Sequence, residues 1–158
     1  MNNRSLIVSR VSRWVAPLIF VFGIYVALYG HLSPGGGFPG GVILSSAFIL
    51  TLLARGREAT LKRLPFGVAK KLDAVGALLF LCIALVGLAV TGVFFANFIH
   101  QYLPGEPLRL FSGGTIMPAN IAIGLKVAAS LFLVMFALSA LRISTDEKDE
   151  PIRTLEDK

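Results

Sequence analysis

Lys126 is the residue in this sequence whose position most demands a chemical role. The windows 14–54, 74–105 and 110–141 hold a single Asp, Glu, Lys or Arg between them, and it is Lys126. A lone ammonium in so apolar a stretch can pair with an acid, exchange a proton or set the local potential. Inside a membrane such a group marks a functional or pairing site. Its neighbours at helical spacing are small, namely Ala119, Ala122, Ala129, Ser130 and Ala137, and small residues let helices approach closely. That stripe therefore faces protein. The alternative is a lysine that snorkels its amine to the outer surface.

Other groups could do chemistry beside it. His31 could titrate near neutral pH or serve as a satisfied interfacial histidine, and His100 raises the same alternatives. The run that follows, Pro34-Gly35-Gly36-Gly37-Phe38-Pro39-Gly40-Gly41, is richer in glycine than a hairpin needs. Glycine permits close backbone approach to a neighbour or a ligand. The run either lines an ion path, docks a neighbouring helix, or is a tight connector packed under partner subunits. It is not a phosphate loop, since no Gly-Lys-Ser/Thr follows and no strand precedes it. Asp73 reads as the opening residue of a helix, stabilised there by capping and the dipole, or as a cytoplasmic entrance for a proton or cation. Asn97, Asn120 and Thr91 suit interhelical hydrogen bonds. No Cys, His and acid cluster has metal spacing and no nucleophile stands beside a base. The expectation is therefore no enzyme, no metal and no cofactor, with the single Cys82 as a packing residue.

The elements that must position these groups are transmembrane helices. Of 158 residues, 55% are hydrophobic and only 15% charged, with mean hydropathy +0.76; a soluble domain has roughly 25% charged residues. The pattern predicts an all-α integral membrane protein with four transmembrane helices over about 14–30, 40–54, 72–99 and 118–141. These make one membrane domain over 1–142, followed by a charged, partly disordered cytoplasmic tail over 143–158. Nothing like a secretory cleavage site follows residues 14–30, so the first helix is expected to be retained. The net charge of +6 comes mainly from Arg4, Arg10 and Arg13 and from the Lys and Arg residues of 55–73. Cytoplasmic loops collect such residues, which places the N terminus, the 55–71 loop and the C terminus inside. Beside apolar helices, a pI of 9.9 points to the membrane, and nucleic acid is not an expected partner.

Two depth estimates follow. The second helix, at 15 residues, spans about 22 Å against a hydrocarbon core of ~30 Å, so either it starts inside the glycine run or that run dips to membrane depth. Lys126 lies ~12 Å below the start of the fourth helix, near the midplane. Asp73 and Glu58 read as inner residues and Glu106 as an outer one, so no acid of this chain shares its level. Its counter-charge is then expected from another subunit, and the chain alone is expected to be poorly stable.

Two blocks of this sequence, His31 through Gly41 and Asn120-Ile121-Ala122-Ile123-Gly124-Leu125-Lys126, resemble the signature of the MnhB/MrpB family. The resemblance extends over about 10–142, with Pro39 standing where many relatives have a polar residue. It implies the corresponding small membrane component of an Mrp-type antiporter that exchanges cytoplasmic Na⁺ for external H⁺ in a prokaryotic cell membrane. Other antiporter subunits and the lipid bilayer would be its partners. Lys126, His31, Asp73 and Asn120 would then stand at the ion path or a subunit junction, with the glycine-rich loop as a further family position. The alternative is the equivalent component of a redox-driven ion-pumping complex such as a membrane-bound hydrogenase. An unrelated scaffold protein without ion coupling is a third possibility.

The charge pattern makes a direct prediction about topology. Single cysteines placed in the 55–71 loop, in a Cys82→Ala background, should react with impermeant reagents only from the cytoplasmic side. Labelling from outside alone would reject the assignment.

Overall fold

The structure is a computed structural model and describes residues 6–32, 35–102 and 110–148. Its elements are α1 (Leu6–Leu28), α2 (Gly37–Arg55), α3 (Arg57–Arg63), α4 (Phe66–Thr91), α5 (Phe98–Tyr102), a 3-10 turn (Leu110–Gly113) and α6 (Ile116–Lys148). Four stretches are long and apolar enough to cross a membrane: α1, α2, α4 and residues Ile116–Ser139 of α6.

The helices stand in a row. α2 packs against α1 on one side and α6 on the other, and α4 joins the row through α6. Seams this close require small side chains. The buried residues of α1 are Ser12, Ala16, Gly23 and Ala27, and those of α4 are Ala69, Gly76, Ala84 and Gly87. Without a hydrophobic drive between helices in lipid, such stripes supply the van der Waals contact that holds them together. Across the antiparallel α1–α2 seam Gly40 lies against the backbone of Ala27. Across the parallel α2–α6 seam, a Cβ on Gly41 would come within 2.7 Å of the Gly124 carbonyl oxygen and 2.8 Å of Val127 Cβ. The glycine run is thus the first turn of α2, and it docks α6. Of that run, Pro34 lies outside the described residues.

Starting at Gly37 gives α2 19 residues, or about 28 Å, which resolves its expected shortness. Its far end meets α3, a short amphipathic helix where the sequence suggested a loop. Thr60 of α3 and Leu64, which follows it, are buried in company with Leu52, Ala69, Phe132 and Phe136. Phe132 is fully buried and stacks edge-on against Phe48 at 5.9 Å. The Arg57 guanidinium lies 4.1 Å from the Phe136 ring centroid and Lys70 Nζ 4.7 Å from that of Phe66, so these stems cover apolar surface while their charges stay outside. The start of α1, all of α3 and the start of α4 thereby bring the basic residues to one end of the bundle.

Three expected boundaries change. α1 starts at Leu6, not 14, the early start that Leu6, Ile7, Val11 and Val15 at helical spacing also allow, and it runs unbroken through Pro17. α4 runs from Phe66 to Thr91, not 72–99, because Pro65 precedes its first turn and Gly92, at φ 74°, ends it in the left-handed conformation. The chain then folds back. Asn97 accepts hydrogen bonds at Oδ1 from the Thr115 N–H and hydroxyl, both 2.8 Å, and donates to the Gly113 carbonyl at 3.1 Å. Asn97 therefore braces the entrance to α6, whereas the Thr91 hydroxyl donates to Gly87 within its own helix. Last, α6 continues to Lys148, so the first residues of the expected tail are helical.

The α2–α6 seam makes a graded prediction. Gly41→Ala should destabilise the purified protein by about 1–3 kcal/mol through overpacking. Gly67→Ala, where an added Cβ meets nothing within 4 Å, should be neutral or stabilising by up to about 1 kcal/mol. Thermal unfolding in one detergent checks both, and equal effects would contradict the packing described.

Candidate functional site

α4 and α6 run antiparallel, and a gap in side-chain bulk lets them touch. A Cβ on Gly76 would come within 2.7 Å of the Lys126 backbone nitrogen and 2.9 Å of the Ala122 carbonyl oxygen. This register places Asp73, one helical turn before Gly76, beside Lys126 and Ser130. Lys126 Nζ donates to Asp73 Oδ1 at 2.8 Å. The Ser130 hydroxyl donates to the same oxygen, and Lys126 Nζ also lies 3.4 Å from Ser130 Oγ. The three groups close a triangle.

This overturns two expectations. Asp73 does not open a helix: α4 begins at Phe66, which puts Asp73 seven residues, or about 10 Å, inside it. Nor does Lys126 lack an acid of its own chain. It sits ten residues into α6, about 15 Å from the helix start, and its side chain extends toward the basic end of the bundle, where Asp73 stands. The lysine does snorkel in a sense, but toward an internal carboxylate and not toward the opposite surface. Sequence reasoning marks Ser130 only as one of the small neighbours. Its i+4 spacing from Lys126 is the available signal for a polar partner.

The pair is bonded but not enclosed. The Lys126 side chain is 45% exposed on this chain and that of Asp73 33%. Opposite charges in contact cancel most of each other's field, yet a pair exposed to hydrocarbon remains costly unless further polar groups meet it. Chemically, the triangle can hold a fixed dipole, offer a carboxylate to a cation when the ammonium withdraws, or pass a proton through the serine hydroxyl.

His31 and Asn120 do not join it. His31 packs against Gly113, where an added Cβ would lie 2.9 Å from its Cγ. Asn120 stands at the glycine turn: its backbone abuts Gly37, and its Nδ2 would lie 3.0 Å from a Cβ on Gly30. His31 stands beside Gly113 just before α6, and Asn120 with Gly36, Gly37 and Gly41 belongs to the packing at the start of α6, whereas Gly40 faces Ala27 of α1 and Gly35 and Phe38 are exposed. Asn120 precedes Lys126 by six residues, about 9 Å along the helix. Among the described residues, no three His, Cys, Asp or Glu side chains form a metal-binding group.

The triangle predicts non-additive stability. Asp73→Ala or Lys126→Ala alone, each leaving an unpaired charge, should destabilise the protein by on the order of 3 kcal/mol. The double variant should be less destabilised than the two effects summed. A double-mutant cycle by thermal or denaturant unfolding measures the coupling, and strict additivity would contradict the pairing.

Residues 7–133 match the family described as a domain related to the MnhB subunit of Na⁺/H⁺ antiporters. The mnhB2 protein of Staphylococcus epidermidis, named as an antiporter subunit, is 42% identical over 90% of this chain and 99% of its own. Its Staphylococcus haemolyticus counterpart is 36% identical over 88% and 97%. An uncharacterized protein of Methanocaldococcus jannaschii is 34% identical over 88% of this chain, which spans only about half (54%) of that protein's length. Among solved structures, a chain of the membrane-bound sulfane sulfur reductase, an archaeal respiratory membrane complex, superposes with a TM-score of 0.71 at 33% identity. That match covers 85% of this chain and 58% of the other. With four apolar helices and relatives of this kind, the chain is a multi-pass membrane protein, and it belongs to the MnhB-related family.

Proposed function

We propose that this chain is a small, non-enzymatic membrane subunit of an Mrp-type cation/proton antiporter, working in a prokaryotic cell membrane among other subunits. In this reading the complex exchanges cytoplasmic Na⁺ for external H⁺, and the triangle of Asp73, Lys126 and Ser130 stands close to the ion route, at a junction with a neighbouring subunit. The half-open ion pair supports this most strongly. Lipid cannot solvate its exposed side, whereas a polar group or water held at a subunit junction can. The staphylococcal relatives named as antiporter subunits add support over nearly their full length.

A second reading rests on the likeness to a chain of a respiratory membrane complex. The same type of subunit would then serve the membrane arm of a redox-driven ion pump. Chemistry at the pair would be unchanged, but the driving force would come from electron transfer elsewhere in the assembly.

Purification of the tagged chain from its native membranes in mild detergent separates these readings. Co-purifying antiporter subunits without iron–sulfur proteins support the first, and iron–sulfur subunits the second. A chain that emerges alone contradicts both. At matched assembly, Lys126→Ala should lower Na⁺-dependent proton exchange in everted vesicles by roughly tenfold, equivalent to about 1.4 kcal/mol. Lys126→Arg keeps the charge but forbids deprotonation. Activity restored by Arg assigns a fixed-charge role; activity lost in both variants assigns proton exchange or strict geometry. Wild-type transport by both would remove Lys126 from the mechanism.

A further inference from the structure

Among the apolar grooves that the ion pair does not use, two lie on neighbouring faces of α1. One, of about 280 Å³, is lined by Ala16, Pro17, Phe20, Ala47, Phe48 and neighbouring residues, with Arg63 of α3 as its only charged wall. The other, of about 350 Å³, is formed by Trp14, Pro17 and Leu18, with Arg13 as its only charged wall. Pro17 lies on both. Its rim position is exposed, as are Arg13, Trp14 and Arg63. Proline has no N–H, so the Arg13 carbonyl lacks the usual i+4 donor of its helix.

We propose that these paired grooves form a binding site for an anionic phospholipid, its acyl chains lying along the two sides of Pro17 and its phosphate held by Arg13 and Arg63. Both grooves are apolar along helices that cross the membrane, and both carry a guanidinium at the basic end of the bundle. A guanidinium matches phosphate oxygens bidentately. Arg10, Arg55 and Lys62 surround this end with further positive charge, which attracts anionic lipid before it is bound. A guanidinium on each groove suits an anionic headgroup, which carries its own negative charge and requires no acid from a partner helix. The proposal is independent of the antiporter reading, since it concerns neither Asp73 nor Lys126.

Trp14 is the only tryptophan in the chain, so its fluorescence reports the site directly. The full chain is reconstituted in phosphatidylcholine vesicles with equal small fractions of brominated phosphatidylglycerol or brominated phosphatidylcholine. The brominated phosphatidylglycerol should occupy the site at least about fivefold more readily, the preference expected from a cationic residue at the surface. Arg13→Gln/Arg63→Gln should bring the ratio to about one, and Lys71→Gln, which lines neither groove, should leave it high. Equal quenching by the two lipids in wild type overturns the proposal. So does a loss in Lys71→Gln as large as in the double variant, which would assign the preference to diffuse surface charge. Native mass spectrometry of the assembled complex completes the test. Anionic phospholipid retained by wild type and lost from the double variant supports the site; a complex that retains none, its grooves filled by a partner subunit, contradicts it.

Discussion

A charge in hydrocarbon has to be met by something, and in this chain one carboxylate and one hydroxyl meet one ammonium. The Asp73–Lys126 contact at 2.8 Å ties α4, at one end of the row, to α6. Little else on α4 is large and buried: its inward residues are Ala69, Gly76, Ala84 and Gly87. Small residues allow proximity but confer limited register, because Ala and Gly stripes can slide. An ion pair with a directional hydroxyl fixes where along α6 the helix α4 must stop. The polar cluster thus adds a directional contact where the apolar packing is least specific.

The remainder of the bundle supplies a rigid base for that contact. α6 receives α2 on its other side through Gly37 and Gly41, and the aromatic cluster of Phe48, Phe132 and Phe136 locks the basic end. At the opposite end Asn97 bridges the residues before α6. Lys126 therefore projects from a helix packed at both ends.

Much of this was legible in the residues. The near absence of charge over three long windows marks the membrane segments, and the small neighbours of Lys126 show that its face meets protein. The depth of Asp73 was not legible, for a physical reason. Lys70 and Lys71, three and two residues before it, make the segment look like an aqueous loop, yet their long stems let them sit inside the first two turns of α4 with the amines at the surface; Lys70 lies over Phe66 in this way. The helix start is set by Pro65, several residues before these lysines, so the shorter Asp73 side chain is left inside. The end of α4 was missed for a complementary reason: residues 93–99 are as apolar as the helix, and only the left-handed Gly92 separates them from it. The glycine-rich run showed that something must approach closely but not what; the structure identifies α1 and α6 of the same chain.

In the proposed reading the open side of the Asp73–Lys126 pair is met by a polar group or water at a subunit junction and not by lipid. A cryo-electron microscopy map of the complex purified with this chain, at a resolution that shows side chains and ordered water, tests it directly. The Asp73–Lys126 contact should be intact or bridged by Ser130, with a neighbouring subunit's polar side chain or an ordered water within hydrogen-bond distance of the Lys126 ammonium. A pair facing acyl chains, with no polar neighbour, would contradict it.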